Sequence, residues 1–196
     1  MSKGTISLIV IGVVVLLLVG GALTSYNGLV QKDEAAATAW SNVQSQYQRR
    51  ADLIPSLVNT VKGYAKHESA TFEGVVAARA KATSLQVSAD DLTPEKMKQI
   101  QQAQGELSQA IGRLLMITEN YPDLKASENF SELQAQLEGT ENRINESRQL
   151  YNKSVQEYNQ TVRRFPSNII ATLCGFDKRT LFEADAAAQK APTVEF

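Results

Sequence analysis

Residues 4–24 read GTISLIVIGVVVLLLVGGALT and contain no charge. No other feature constrains the fold as much. At about 1.5 Å per residue the run makes a helix of about 31 Å, enough to cross the hydrocarbon core of a bilayer. The first expectation is therefore a transmembrane anchor, with Leu8, Val14, Leu17 and Gly20 among its residues. A cleaved signal peptide is the rival, with Lys3 as its basic start and Gly20, Gly21 and Ala22 as small residues near a cut. The run outlasts the roughly 7–15 apolar residues of a signal sequence, which favours the anchor. Lys3 and the α-amine precede the run, and the next twenty residues hold only Lys32 beside Asp33 and Glu34. The positive-inside rule then puts the N-terminus in the cytoplasm and the remainder outside it.

Composition narrows the function. Lys and Arg total 20 against 21 Asp and Glu, a net charge of −1. Nucleic-acid binding requires clustered cations, so no nucleic-acid partner is expected. One cysteine, Cys174, excludes a disulfide framework within one chain or a multi-thiolate metal site, and one histidine, His67, excludes any two-imidazole site. His67-Glu68 starts like a zinc-protease motif, but Thr71 stands where the second histidine belongs. No phosphate-binding glycine loop or nucleophile elbow is present. No cofactor and no metal are expected.

Past residue 24 the pattern is helical. Tyr26, Asp33, Trp40 and Tyr47 stand seven apart, with Val30, Ala37 and Ala51 on the adjoining seam. Ile54, Leu57, Val58, Val61, Tyr64, Ala65, Phe72, Val75 and Val76 share one face of a second segment. Pro55 suits a first helical turn, so a tight turn at residues 51–54 is favoured. The heptad count nevertheless continues through Ile54, Val61 and Val75, and one long helix kinked at Pro55 is the alternative. Thr93, Pro94 and Glu95 form a helix start, and Tyr121-Pro122 a stop. Phe130, Leu137, Ile144, Tyr151, Tyr158 and Phe165 then repeat every seven residues until Pro166. A smaller seam of Leu133, Thr140, Ser147, Ser154 and Thr161 runs beside them. The fold class is all-α: a transmembrane helix, then an antiparallel, up-and-down bundle of about four long helices. The expected division is an anchor at 1–25, a bundle at 26–184 and a loose tail at 185–196.

Three stretches carry a family resemblance: YNGLVQKDEAAATAWSNVQSQYQRRADLIPSLVNTVKGYAKHE, ENYPDLKASENFSELQAQLEGTENRI and YNKSVQEYNQTVRRFPSNIIA. Together they make the chain similar to the LemA family of bacterial membrane proteins. The resemblance implies an N-terminal transmembrane helix, a helical domain and a bacterial cytoplasmic membrane location. It implies no catalytic residue.

The reading that follows is a non-enzymatic scaffold that acts at the lipid bilayer by self-assembly into a homo-oligomer. An adaptor for another membrane protein, in a protease or secretion complex, is the alternative. Candidate interaction residues are Asp33, Trp40, Arg49, Arg50, Tyr121 and Asn129. Asp33, Gln44 and Arg148 interrupt the apolar seams, as register-setting residues do. Arg49 and Arg50 are expected at a helix end, complementing its dipole. Asn129 with Glu132 suggests a capping box opening the last helix. Trp40, Tyr47, Tyr64, Tyr151 and Tyr158 are at core spacing, and Cys174 is expected to be buried. An acid–base enzyme is the third reading, with Asp33, Glu68 and Glu106 as the carboxylates to examine.

Overall fold

The computed structural model describes residues 3–183. The first two residues and the tail expected at 185–196 lie outside the described residues. Six α-helices follow in order: α1 (Lys3–Tyr64), α2 (Ser69–Ser84), α3 (Pro94–Ile117), α4 (Pro122–Lys125), α5 (Glu128–Arg163) and α6 (Ser167–Cys174). No strand occurs among the described residues.

The anchor and the first bundle helix are one element. α1 has 62 residues, about 93 Å of unbroken helix. Its apolar N-terminal part is long and apolar enough to cross a membrane. Leu8, Val14, Leu17 and Gly20 are exposed there, as lipid contact requires. The favoured turn at 51–54 is therefore wrong: the helix passes through Pro55 and reverses only at residues 65–68. Pro55 has no N–H to give the Ala51 carbonyl. Arg79 Nε, from α2, donates to that carbonyl oxygen instead, at 2.7 Å. α2 is consequently only 16 residues long, shorter than the bundle helices the sequence suggested.

α1, α2, α3 and α5 run alternately up and down. Lys32 meets Glu157 and Arg50 meets Glu141, so α1 and α5 are antiparallel along a long shared seam. Lys81 on α2 meets Glu106 on α3. The Thr93 side chain accepts from Lys96 N–H at 3.3 Å, and Pro94 follows it, as expected of a helix start. At the other end of α3 the chain tightens into a 3-10 turn, Thr118–Asn120, before Tyr121 and Pro122. Asn129 does not open α5. Ser127 is the capping residue, without a side-chain cap bond, and Asn129 is exposed inside the first turn. The helix simply begins two residues earlier than the capping-box pattern suggested.

Two apolar clusters fill the bundle. The membrane-distal one contains Leu57, Val61, Phe72, Leu107, Leu114, Leu124 and Phe130. The membrane-proximal one contains Trp40, Val43, Tyr47, Met97, Ile100, Ile144 and Tyr151. Each fully buried Leu contributes about 1.5–3 kcal/mol. Most of the seven-residue series on α5 is buried, from Phe130 to Tyr158. Its final member is not: α5 ends at Arg163, and Phe165 is 75% exposed. Tyr64 and Val76 are also exposed, because they sit at the margins of the distal core. His67 lies exposed in the α1–α2 turn rather than within a helix.

Candidate functional site

α5 carries the dipeptide Tyr-Asn twice, at 151–152 and 158–159. These four side chains grip the extended segment 177–183. Asn159 donates to Arg179 O and accepts from Arg179 N–H, both at 2.9 Å. Asn152 does the same for Phe182, at 3.1 and 2.8 Å. The Tyr158 hydroxyl donates to Asp177 O at 2.9 Å and that of Tyr151 to Thr180 O at 2.7 Å. Both pairs advance three residues along the strap for seven along the helix. Three extended residues span about 10 Å, and seven helical residues about 10.5 Å. The two repeats therefore stay in register.

Side chains of the strap complete the clip. Arg179 Nε donates to Asp33 at 2.6 Å, one terminal nitrogen to Asp90 at 2.8 Å, and the other to Ala89 O at 2.7 Å. α1, the α2–α3 loop and the strap thus meet at one guanidinium. The hydrogen bond with Asp33 holds the Arg179 proton more tightly than usual, against the opposing effect of burial. Phe182 packs with Trp40 and Tyr151, all three centroid separations lying between 5.4 and 5.9 Å, within the favourable range for ring pairs. Trp40 Nε1 and Gln44 Nε2 both donate to Val87 O, at 2.8 and 2.9 Å. Arg148 donates to the Tyr47 hydroxyl and lies 5.4 Å from the ring centres of Tyr47 and Phe182. Burial pushes the Tyr151 and Tyr158 hydroxyls up to about 12.

A buried polar layer separates the two cores. Arg50 is only 1% exposed. It donates to Ser108 at 2.8 Å, to Glu141 at 2.5 Å, and to both the carbonyl and the side-chain oxygen of Gln104. A buried charge is tolerated only when paired and hydrogen-bonded, and this one is tied to α3 and α5 together. It does not complement a helix end, because α1 continues for another three to four turns. Its neighbour Arg49 points to solvent.

A third feature faces outward. On a different side of α1 from Trp40 and Tyr47, a groove of about 320 Å³ lies between α1 and α5. Ala39, Asn42 and Gln46 line one wall, and Arg143, Glu146, Ser147 and Leu150 the other. Leu150 is exposed, and Gln46 Oε1 is buried without a donor.

The sequence-derived candidates therefore separate. Asp33 and Trp40 belong to the clip, and Arg50 to the buried layer. Tyr121 packs against the distal core, whereas Arg49 and Asn129 are exposed. Asp33, Gln44 and Arg148 find partners within this chain, so their register-setting contacts are internal. Glu106 is paired with Lys81, whose hydrogen bond holds its carboxyl below the usual range; an acid–base role needs the opposite shift. Glu68 lies in the turn before α2. Cys174 is exposed, not buried, because α6 turns another side toward the bundle. Sequence reasoning missed Asn152, Asn159 and Arg179; the repeated Tyr-Asn pair at heptad spacing was their signal.

Comparison with known proteins adds the lineage. Residues 39–196 match the sequence model of the LemA family. Magnetosome protein MamQ 2 of Paramagnetospirillum magneticum is 27% identical over 184 residues, which cover 84% of this chain and 67% of that protein. Magnetosome protein MamQ of Magnetospirillum gryphiswaldense is 26% identical over 182 residues, with the same coverage. Protein LemA of Metamycoplasma hominis is 24% identical over 158 residues, 81% of this chain and 68% of its own length.

Proposed function

This chain belongs to the LemA family, and from that premise we propose that it is a membrane-anchored scaffold that acts by assembling with copies of itself. It is a membrane-associated helical protein; the finer reading adds the mode of action. The observation that carries it is the open groove between α1 and α5. Small residues on both walls, Ala39 and Ser147, allow close approach, and Leu150 supplies exposed apolar surface. Anchoring favours the encounter, since confinement in one bilayer raises effective concentration. The relatives named as magnetosome proteins fit a role tied to an assembled structure.

In this reading α1 crosses the cytoplasmic membrane of a bacterium with the N-terminus inside, as Lys3 favours, and the bundle stands outside. Activity resides in association, and no reaction is assigned to the clip or the buried arginine.

The test is the mass of full-length protein in nanodiscs and detergent, measured by light scattering. A discrete multi-chain particle is expected. Leu150→Arg should reduce it to single chains while the circular dichroism stays unchanged. A wild-type protein that remains monomeric at high concentration in lipid would overturn the reading and move the search to a hetero-partner.

A further inference from the structure

A second uncharged run, residues 165–176, reads FPSNIIATLCGF. It contains α6, and its burial is the reverse of what a bundle helix shows. Ala171 is the buried residue of α6, at 2% exposure. Ile169 and Leu173, spaced by four and so on one side of α6, are 50% and 77% exposed, and Phe165, just before the helix, is 75% exposed. Ile169 and Leu173 each lie about 200° round the helix from Ala171. The helix rests on the protein by Ala171 with Ile170 half-buried beside it, and turns Ile169 and Leu173 away.

Its height along α1 is fixed by contacts. Phe176, just past α6, meets Tyr26 edge to face with ring centres 5.7 Å apart. Tyr26 is two residues, about 3 Å, beyond the apolar stretch 4–24 of α1. The headgroup layer extends about 5–8 Å past the hydrocarbon on each side. Burial of α1 begins at Ala22, Ser25 and Gly28, where the run ends, and α5 and α6 are the elements packed on it at this end. Arg163 and Arg164 are exposed immediately before the run, and exposed Asp177 and Lys178 follow it, a net cationic flank. Apolar side chains directed outward at headgroup depth beside such a flank are the pattern of an interfacial helix on anionic lipid.

We propose that α6 lies in the headgroup layer of the bilayer that α1 crosses, with Phe165, Ile169 and Leu173 inserted toward the acyl chains. This surface would be continuous with the anchor and would give the protein a second membrane contact. Gly175 makes the arrangement possible. It adopts a left-handed conformation, φ 74°, and Phe176 N–H closes on Ala171 O at 2.9 Å. The chain can then leave the membrane surface and climb into the clip. The inference rests on the anchor reading and is independent of self-assembly.

The experiment uses full-length protein in vesicles of phosphatidylcholine and phosphatidylglycerol. In a Cys174→Ser background, single cysteines replace Leu173, Ile169, Leu17 or Met116 and carry a nitroxide. Collision with oxygen, which partitions into lipid, is compared with collision with a water-soluble nickel chelate. Oxygen should dominate at Leu173→Cys, Ile169→Cys and Leu17→Cys, and nickel at Met116→Cys. Nickel dominating at 173 and 169 while 17 remains in lipid overturns the proposal and leaves the anchor standing. Nickel dominating at 17 as well overturns both. Dipolar broadening between labels at 173, with both relaxants excluded, would put a second copy on this face and also overturn it.

Discussion

Arg79 Nε donates to the Ala51 carbonyl oxygen at 2.7 Å. Pro55, four residues beyond Ala51, is the residue that could not. One guanidinium from α2 thus mends the helix that would otherwise be weakest between the membrane and the distal core. Arg79→Met should destabilise the bundle by about 1–3 kcal/mol, the usual cost of an unmet buried acceptor. In a Pro55→Ala background, where the helix supplies its own N–H, the same change should cost less. Denaturant unfolding of the four proteins measures the coupling, and strictly additive effects would show that the two residues act apart.

The Arg50 layer gives a second prediction. Arg50→Ala should cost about 1–3 kcal/mol, because it leaves the buried Gln104 oxygens without their donor. Arg50→Lys should not restore the loss, since an ammonium cannot span Gln104, Ser108 and Glu141 as a planar fork does. The exposed pair Lys32–Glu157 is the control: Lys32→Ala should change stability by less than about 1 kcal/mol. Equal effects of the two alanine variants in thermal unfolding would contradict this account of the layer.

Release of the strap should follow from Asn159→Ala, and more completely from Asn152→Ala with Asn159→Ala. Each asparagine serves one donor and one acceptor of the strap backbone. Limited trypsin digestion should cut faster at Lys178 and Arg179 in the double variant while the bundle's helicity is kept. Unchanged cleavage would mean that the Phe182 and Arg179 side chains suffice.

Alkaline pH should loosen the same clip. Tyr151 and Tyr158 ionise near 12 in the folded chain against 10 when free. The folded state therefore keeps protons that the unfolded chain loses above pH 10. This stabilisation is full below pH 10 and disappears as pH rises through about 12. Phenolate absorbance should show three of the six tyrosines titrating late, buried Tyr47 being the third, and strap cleavage should rise over that interval. All three late tyrosines surviving in a chain truncated before the strap would detach the shift of Tyr151 and Tyr158 from the clip.

These contacts also explain what could be read from the sequence alone. The seven-residue series on α5 was legible because one-sided burial repeats for five positions, Phe130 to Tyr158. It overran at Phe165 because periodicity says nothing of where a helix leaves the bundle. Pro55 was read as a turn because its penalty is local, whereas its remedy, Arg79, comes from another helix. Tyr151 and Tyr158 were visible as core, but Asn152 and Asn159 were not. They bind main-chain atoms, which impose no side-chain pattern on the strap. Asp33 and Trp40 were legible as candidate interaction residues, yet their partners, Arg179 and Phe182, lie more than a hundred residues away.

The unbroken course of α1 has one more consequence. A rod with no joint carries its compass bearing from end to end. Gly21 and Ala39 are eighteen residues apart, five whole turns, so they share a bearing. The side of the rod that presents Gly21 within the lipid is the side that presents the groove above it. One residue inserted directly after Gly21, before burial of α1 begins, would swing the groove by about 100° relative to the apolar stretch and carry the bundle round with it as a unit.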